Sequence, residues 1–301
     1  MNMKVDLCGV TLNNPVMTAS GTFGSGAEYA EFVDLNKLGA VVTKGVANVP
    51  WPGNPTPRVA EVYGGMLNAV GLQNPGIDLF VERDIPFLKQ FDTKIMVNVC
   101  GHSTEEYIEV VERLRDQPVD LLEINISCPN VKEGGIAFGQ DPKAVEAITK
   151  EMKKHAAQPV IMKLSPNVTD ITEMARAAEA GGADGLSLIN TITGMKIDIN
   201  RQKFVLANKT GGMSGPAIHP VAVRMVYQTA QAVRLPIVGM GGIMNAEDAI
   251  EMILAGATAV SVGTANFTNP HVTEEIAAGI RDYMERYQVA DIKDLVGAVH
   301  E

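Results

Sequence analysis

The sequence predicts an α/β fold, a (β/α)8 TIM barrel, and three observations support this prediction. Eight short apolar segments are spread over the 301 residues. Most are rich in Val, Ile and Leu on both faces, which is typical of strands in a buried parallel sheet. Helical patterns lie between most of them, and every segment ends in small or polar residues, as expected where such a barrel opens onto an active site.

The predicted strands can be read off the chain in order. They are PVMTASG (15–21), GAVVTKG (39–45), IMVNVCG (95–101), LLEINISCP (121–129), PVIMKLSP (159–166), GLSLINT (185–191), PIVGMGG (236–242) and AVSVGTA (259–265). Because parallel strands of a barrel all end on one face, their polar ends are expected to meet at one mouth.

The helices between the strands have recognisable first and last residues. The helix predicted for 103–117 opens with Ser103 and Glu106 at the spacing of a capping box. The others are 141–155, opened by Asp141 and Pro142; 170–180, followed by Gly181; and 245–255, which begins at Asn245 and stops at Gly256.

Two long segments interrupt this alternation. Residues 46–80 contain four prolines and follow the second strand, and residues 191–219 follow the sixth. We expect both excursions to lie at the mouth as functional loops of a single domain covering 1–301. A doubly wound open sheet is the alternative, and the lack of a G-x-G-x-x-G motif after the first strand disfavours it.

Charge and cysteine content narrow the functions open to the chain. The formal net charge is −10, whereas proteins that bind nucleic acid normally present a basic surface, so no nucleic acid is expected. The three cysteines form no Cys-x-x-Cys motif, so we expect no metal site and a reducing, cytoplasmic environment. No signal peptide and no apolar run of about 18 residues is present, so no membrane association is expected.

Two lysines stand at predicted strand ends, Lys44 and Lys163. Burial of an ammonium group is costly unless an anion or electron-rich group compensates it. The pair therefore predicts a ligand that carries or develops negative charge. Alternatively, Lys163 extends along the barrel rim into water.

Glycines follow the seventh and eighth strands, as Gly241-Gly242 and Gly263-Thr264. Loops at these positions of a barrel commonly bind phosphate, because glycine lets backbone N–H groups approach its oxygens. Gly215, in the second excursion, is a further candidate. Tight turns without a ligand are the alternative.

Four asparagines, Asn68, Asn98, Asn125 and Asn190, are predicted to point into the mouth. Each offers donors and acceptors that suit the edge of a planar heterocycle or an amide-bearing substrate. Each could instead cap a loop.

Cys128 lies just past the fourth strand, beside Asn125 and before a glycine-containing segment at 131–139 that we expect to act as a lid. A thiol at this place can serve as a base if the thiolate is stabilised, although most lone cysteines are core residues. Cys8 and Cys100 are assigned to packing.

Together these segments resemble the class 1 dihydroorotate dehydrogenases. The resemblance rests on ASGTFG, TKG, NAVGLQNPG, NISCPN, IMKLSP, NTITGMKID, GGMSGPA, GMGGI and VGTA, which extend in order over nearly the whole chain. NTITGMKID and GGMSGPA resemble the class 1B catalytic subunit more than the fumarate-using class 1A homodimers. Class 2 enzymes carry serine where this chain has Cys128, and they have an N-terminal membrane anchor, which we do not expect here, so the resemblance excludes class 2.

The resemblance implies a barrel that holds FMN and oxidises (S)-dihydroorotate to orotate in pyrimidine synthesis. Cys128 would remove the C5 proton of the substrate, while the C6 hydride passes to flavin N5. The implied FMN residues are Ser20, Lys44, Gly45, Asn98, Asn125, Lys163, Ile189, Gly215, Gly241, Gly242, Gly263 and Thr264. The implied substrate residues are Lys44, Asn68, Ala69, Val70, Gly71, Leu72, Asn125, Asn190 and Thr191.

The class 1B resemblance also implies a partner subunit that carries FAD and a 2Fe–2S cluster and passes electrons to NAD+. A homodimer core within a heterotetramer is implied as well. Four other interpretations stay open: a fumarate-linked class 1A homodimer, an FMN barrel such as a dihydrouridine synthase acting on RNA, a Schiff-base aldolase using Lys44 or Lys163, and a non-catalytic phosphate-ligand binder.

Overall fold

The computed structural model describes residues 1–127 and 138–300, and the strands of this part form a closed barrel with accessory sheets. The strands are β1 (Val5–Leu7), β2 (Val10–Leu12), β3 (Val16–Thr18), β4 (Ala40–Val42), β5 (Val59–Val62), β6 (Gly65–Asn68), β7 (Lys94–Val99), β8 (Leu121–Asn125), β9 (Val160–Lys163), β10 (Gly185–Leu188), β11 (Ile192–Met195), β12 (Ile197–Asp198), β13 (Lys203–Phe204), β14 (Thr210–Ser214), β15 (Ile237–Met240) and β16 (Ala259–Val262).

Eight of these strands close the barrel in the order β10-β15-β16-β3-β4-β7-β8-β9, and every neighbouring pair is parallel. All eight correspond to the predicted strands, so the (β/α)8 prediction is confirmed and the open-sheet alternative is wrong. The strands are buried on both faces, as their Val, Ile and Leu content predicts.

The helices of the described residues lie between the barrel strands or flank them. They are α1 (Ile77–Leu79), a π-helical turn (Phe80–Asp84), α2 (Ile85–Leu88), α3 (Thr104–Leu114), α4 (Pro142–His155), α5 (Ile171–Ala180), α6 (His219–Ala232), α7 (Ala246–Leu254), α8 (Ala265–Thr268) and α9 (Val272–Arg286); 3₁₀ turns cover Leu35–Lys37, Pro216–Ile218 and Ile292–Leu295. Within the described ranges, no helix has the length and apolar character needed to cross a membrane.

The predicted helix starts are confirmed by side-chain caps. Ser103 accepts a hydrogen bond from the Glu106 backbone N–H at 3.3 Å, and Asp141, Asp170 and Asn245 cap α4, α5 and α7 in the same way. Such caps satisfy backbone donors that the first turn of a helix leaves unpaired.

The two excursions meet in one accessory sheet, which the sequence did not predict. Strands β11, β14, β6 and β5 pair in this order, and all pairs are antiparallel. The link between the excursions is the pairing of β6 with β14, in which Asn68 faces Gly212. Residues of both excursions line the cavity described below, so their expected place at the mouth is confirmed.

The opposite end of the barrel, its base, is covered by the β1–β2 hairpin. Leu7 and Leu12 of the hairpin are fully buried. Cys8, at the hairpin turn, approaches Gly185 at the start of β10 so closely that a Cβ there would lie 2.7 Å from its sulfur. The hairpin turn is therefore packed closely against the start of β10.

Candidate active site

A cavity opens where the barrel strands end, and residues at or just past the ends of all barrel strands except β7 line it. Most predicted site residues converge there. The predicted residues that line the cavity are Ser20, Lys44, Gly45, Asn68, Val70, Gly71, Leu72, Asn125, Lys163, Ile189, Asn190, Thr191, Gly215, Gly241, Gly242, Gly263 and Thr264.

Three predicted residues are placed differently. Asn98 is fully buried behind the cavity wall, and Ala69 is buried with its backbone N–H bonded to the carbonyl of Arg58. Neither is among the lining residues. Cys128, the predicted base, lies outside the described residues, as does most of the predicted lid at 131–139.

Lys163 lies at the floor of the cavity and does not extend into water. It is 4% exposed, so the alternative of a lysine reaching past the rim is wrong. Its Nζ donates to Ser20 Oγ at 2.9 Å and lies 3.5 Å from Glu123 Oε2. A buried ammonium is thus compensated by a carboxylate on the neighbouring strand.

Glu123 is the main site residue that the sequence reasoning missed. Its side chain is fully buried inside the barrel. Its Oε2 accepts from Asn98 Nδ2 at 2.6 Å, and its Oε1 accepts from Ser187 Oγ at 2.7 Å. The available signal was a carboxylate in the middle of a strand whose neighbours are apolar, because such residues are almost never buried without a partner.

A chain of polar side chains links this floor to the cavity wall. Asn125 donates to Asn98 Oδ1 at 3.3 Å and accepts from Ser127 Oγ at 3.1 Å, and Asn190 donates to the same Ser127 hydroxyl at 2.8 Å. Asn98 in turn donates to Glu123. The hydrogen-bond partners therefore determine which side-chain atom of Asn98 and Asn125 is oxygen and which is nitrogen. The chain fixes the directions in which Asn125 and Asn190 present their polar atoms.

The predicted phosphate turn at Gly241-Gly242, and Gly215 beside it, have backbone conformations that favour glycine. Gly215, Gly241 and Gly242 have φ angles of 106°, 129° and 70°, a region that residues with a Cβ rarely adopt. A Cβ on Gly242 would lie 2.7 Å from His219 Cβ and 2.9 Å from the carbonyl oxygen of Gly215. The turns are therefore packed tightly against each other beside the cavity.

The lining fits the FMN that the resemblance implies. The Ser261 hydroxyl, on β16, lines the cavity and is buried, and it has no hydrogen-bond partner within the part of the chain that the structure describes. An orphaned buried hydroxyl is costly unless a bound group satisfies it. With the ammonium of Lys163 and the glycine turns, it gives the cavity the donors expected for a flat polar ring bearing a phosphate.

The two cysteines assigned to packing are both confirmed as packing residues. Cys100 is fully buried beside Ala47 and Trp51. Burial raises the pKa of the Cys8 thiol to about 12, and the nearby carboxylates of Asp184 and Asp6 contribute to the same shift. A thiol held in its neutral form is a poor nucleophile or base.

Comparisons with known proteins agree with the geometry. The sequence model of the family "Dihydroorotate dehydrogenase" matches residues 2–284. The chain is 72% identical to "Dihydroorotate dehydrogenase B (NAD(+)), catalytic subunit" of Lachnoclostridium phytofermentans, over 99% of this chain and 100% of that protein. It is 65% identical to the protein of the same name from Alkaliphilus metalliredigens, over 99% of each.

A solved structure, that of a DHODH from Eimeria tenella in complex with ferulenol, has the same fold. The TM-score is 0.82 at 22% sequence identity, over 99% of this chain and 88% of the other.

Proposed function

This chain belongs to the dihydroorotate dehydrogenase family, and we propose that it is the catalytic subunit of an enzyme that oxidises (S)-dihydroorotate to orotate in pyrimidine biosynthesis, with NAD+ as final acceptor. The observation that carries the proposal is that predicted cofactor and substrate residues from separate strands converge on one cavity. The names of the two relatives support the choice of NAD+ over fumarate.

FMN, when bound, supplies the acceptor for the hydride that leaves C6 of the substrate. Lys163 would face the ring, where its ammonium stabilises negative charge. The backbone N–H groups of the Gly241-Gly242 and Gly263-Thr264 turns would hold the phosphate. The remaining FMN residues proposed are Ser20, Lys44, Gly45, Asn125, Ile189 and Gly215 in the cavity lining, with Asn98 behind them, bonded to Asn125.

Dihydroorotate carries a carboxylate and amide-like groups, and the cavity offers partners for both. Lys44 would pair with the carboxylate, while Asn68, Asn125, Asn190 and Thr191 would bind the ring. The proposed segment from Ala69 to Leu72 would contribute through Val70, Gly71 and Leu72, which line the cavity. Because Asn125 and Asn190 are joined through Ser127, their amides are held in place before the substrate arrives. Such preorganisation orients the substrate for reaction.

Cys128 would act as the base that removes the proton from C5, which is acidic because it lies next to a carbonyl group. Its place in the chain supports this role, since it directly follows Ser127, whose hydroxyl joins Asn125 and Asn190. Removal of the C5 proton by Cys128 would accompany loss of the C6 hydride.

The proposed enzyme passes its electrons to a partner subunit with FAD and a 2Fe–2S cluster, and two copies of the chain form its core. The words "catalytic subunit" in the relatives' names support a partner. Large apolar side chains are exposed on the two excursions, among them Tyr63, Ile197, Ile199 and Phe204. Large apolar side chains exposed on neighbouring strands, such as Ile197 and Phe204 on β12 and β13, support a subunit contact there.

An anaerobic spectrum tests the proposed function. The purified protein, supplied with FMN, should be yellow, and (S)-dihydroorotate should bleach its visible flavin band without oxygen. A colourless protein that takes up no FMN would contradict the proposal, and so would a flavin that dihydroorotate leaves oxidised. Assay of the complex with its partner subunit should show reduction of NAD+ and not of fumarate.

A further inference from the structure

We propose that Glu123 is a positioning residue that compensates the charge of Lys163 and thereby sets the balance between oxidised and reduced FMN in the cavity. The inference rests on the proposed function, because it assumes that Lys163 faces the flavin. It concerns a carboxylate that lines no part of the cavity and acts only through the lysine.

The geometry places one negative and one positive charge in the same buried floor. Glu123 is 0% exposed and Lys163 is 4% exposed, and the carboxylate lies 3.5 Å from the ammonium. No other ion pair found among the described residues has both partners buried to this degree. In a low-dielectric interior, such charges act strongly on each other and on any ligand beside them.

Glu123 is held so that it stays under the lysine. Asn98 donates to one carboxylate oxygen and Ser187 to the other, at 2.6 and 2.7 Å. Two donors, from β7 and β10, and the Lys163 ammonium from β9 therefore converge on this carboxylate, and both of its oxygens have partners. The ammonium also donates to the Ser20 hydroxyl, and Lys163 lines the cavity.

The charge of Lys163 would have two opposite effects on the reaction. An uncompensated ammonium beside the ring would stabilise reduced FMN, which carries negative charge, and so favour oxidation of the substrate. The same stabilisation would make transfer of electrons from reduced FMN to the next acceptor less favourable. The Glu123 carboxylate offsets part of that charge. With the pair neutral overall, the protein binds oxidised and reduced FMN with more similar affinities than it would if Lys163 were uncompensated.

The substitution Glu123→Gln isolates this effect, because glutamine has nearly the volume of glutamate. Its carbonyl oxygen can still accept from Asn98 and face the Lys163 ammonium. Its amide can donate to Ser187, since a hydroxyl accepts as readily as it donates. The floor keeps its hydrogen bonds and loses one negative charge.

The experiment measures the equilibrium of protein-bound FMN against a reference redox dye under anaerobic conditions. We expect Glu123→Gln to shift the equilibrium at least tenfold toward reduced FMN, which is about 30 mV for a two-electron couple. Lys163→Met should shift it in the opposite direction, because the carboxylate is then left unpaired. The double variant, which is neutral again, should return toward the wild-type value.

Matched controls separate this role from a structural one. Glu123→Asp keeps the charge and should stay closer to wild type than Glu123→Gln. Asp184→Asn removes a carboxylate from a lysine pair at the base and should leave the flavin equilibrium unchanged. If Glu123→Gln alone does not fold, Lys163→Met and the double variant still differ only in the charge at position 123.

The outcomes distinguish the two proposals. An unchanged equilibrium in a flavin-bound Glu123→Gln protein, or a double variant that is no different from Lys163→Met, would overturn the role of Glu123 and leave the proposed function intact. A wild-type protein that binds no FMN would overturn the proposed function and this inference with it.

Discussion

The two ends of this barrel both carry lysine–carboxylate pairs, but in opposite settings. At the base, Asp184 pairs with Lys153 at 2.5 Å, and both side chains are 32% exposed. Asp120 and Lys94 form a similar half-exposed pair at 3.3 Å. At the mouth, Glu123 and Lys163 are almost completely buried.

The pairs also differ in what else the carboxylates do. Asp120 accepts from the backbone N–H of Ile95, and Asp184 from that of Val160, so both join the starts of adjacent strands. Glu123 binds side chains only, those of Asn98, Ser187 and Lys163. The two ion pairs at the base of the barrel therefore connect its strands to one another. The Glu123–Lys163 pair at the mouth instead holds other polar side chains in position.

The difference in burial indicates whether each ion pair can be explained by its contribution to stability. Exposed pairs contribute about 0–1 kcal/mol, and they cost little to form. A buried pair loses its hydration, and apolar residues of the same volume are often equally or more stabilising. Stability alone does not explain why Lys163 and Glu123 are buried together, and this supports the proposed charged ligand at the mouth.

Among substitutions that test the contrast between mouth and base, Cys128→Ala is expected to have the largest effect, on the rate of flavin reduction. The variant should keep its flavin but reduce it with dihydroorotate about 10²–10⁴-fold more slowly, the usual cost of losing a general base. Stopped-flow absorbance measures this rate. Cys8→Ala at the base is the control and should react at the wild-type rate; equal rates for both variants would remove Cys128 from the mechanism.

A second prediction concerns Gly242→Ala at the mouth. The new Cβ would meet His219 and Gly215 in a backbone conformation with φ of 70°, so we expect FMN affinity to fall by about tenfold or more. Fluorescence titration of the apoprotein measures it. Gly182→Ala has a similar φ of 89° but its nearest neighbour, Lys153 Cγ, lies 3.9 Å away, far from the cavity. An equal loss of affinity in this control would show general strain and not a damaged cradle.

A smaller effect is expected from Asp184→Asn at the base. The asparagine oxygen can still accept from Val160, so only the exposed ion pair is lost, and the free energy of unfolding should fall by about 0–1 kcal/mol. Urea denaturation measures this, and turnover by the folded protein should not change. A large loss of turnover in a folded Asp184→Asn protein would contradict the view that the ion pairs at the base serve only the structure of the barrel.

The smallest effect concerns the reactivity of Cys8. Because its pKa is raised to about 12, the thiol stays protonated at pH 8 and becomes reactive only as the pH approaches that value. Iodoacetamide followed by peptide mass mapping should label Cys8 slowly in the native protein at pH 8 and readily after denaturation. Rapid native labelling at pH 8 would show that its thiol is not held neutral.

Local patterns were sufficient to predict the barrel. Apolar strands, the N-caps at Ser103, Asp141 and Asn245, and the polar strand ends all depend on residues close in sequence. The mouth was predictable for the same reason, since parallel strands bring their ends together.

The features that were missed depend on distant pairings. The accessory sheet needs Asn68 opposite Gly212, and nothing local to either excursion specifies that partner. Glu123 meets Lys163 only because β8 and β9 are neighbours in the barrel. Ser187 and Ser261 were overlooked because a serine in a strand gives no local sign of being buried or of what it contacts.

The most direct test of the account is a crystal structure of the protein with FMN and orotate. We predict a flavin ring within hydrogen-bonding distance of Lys163 Nζ, a phosphate on the Gly241-Gly242 and Gly263-Thr264 turns, and orotate against Asn125 and Asn190. A flavin bound anywhere else, or a ring that Lys163 does not contact, would contradict the central claim that the buried charges of the mouth serve the cofactor.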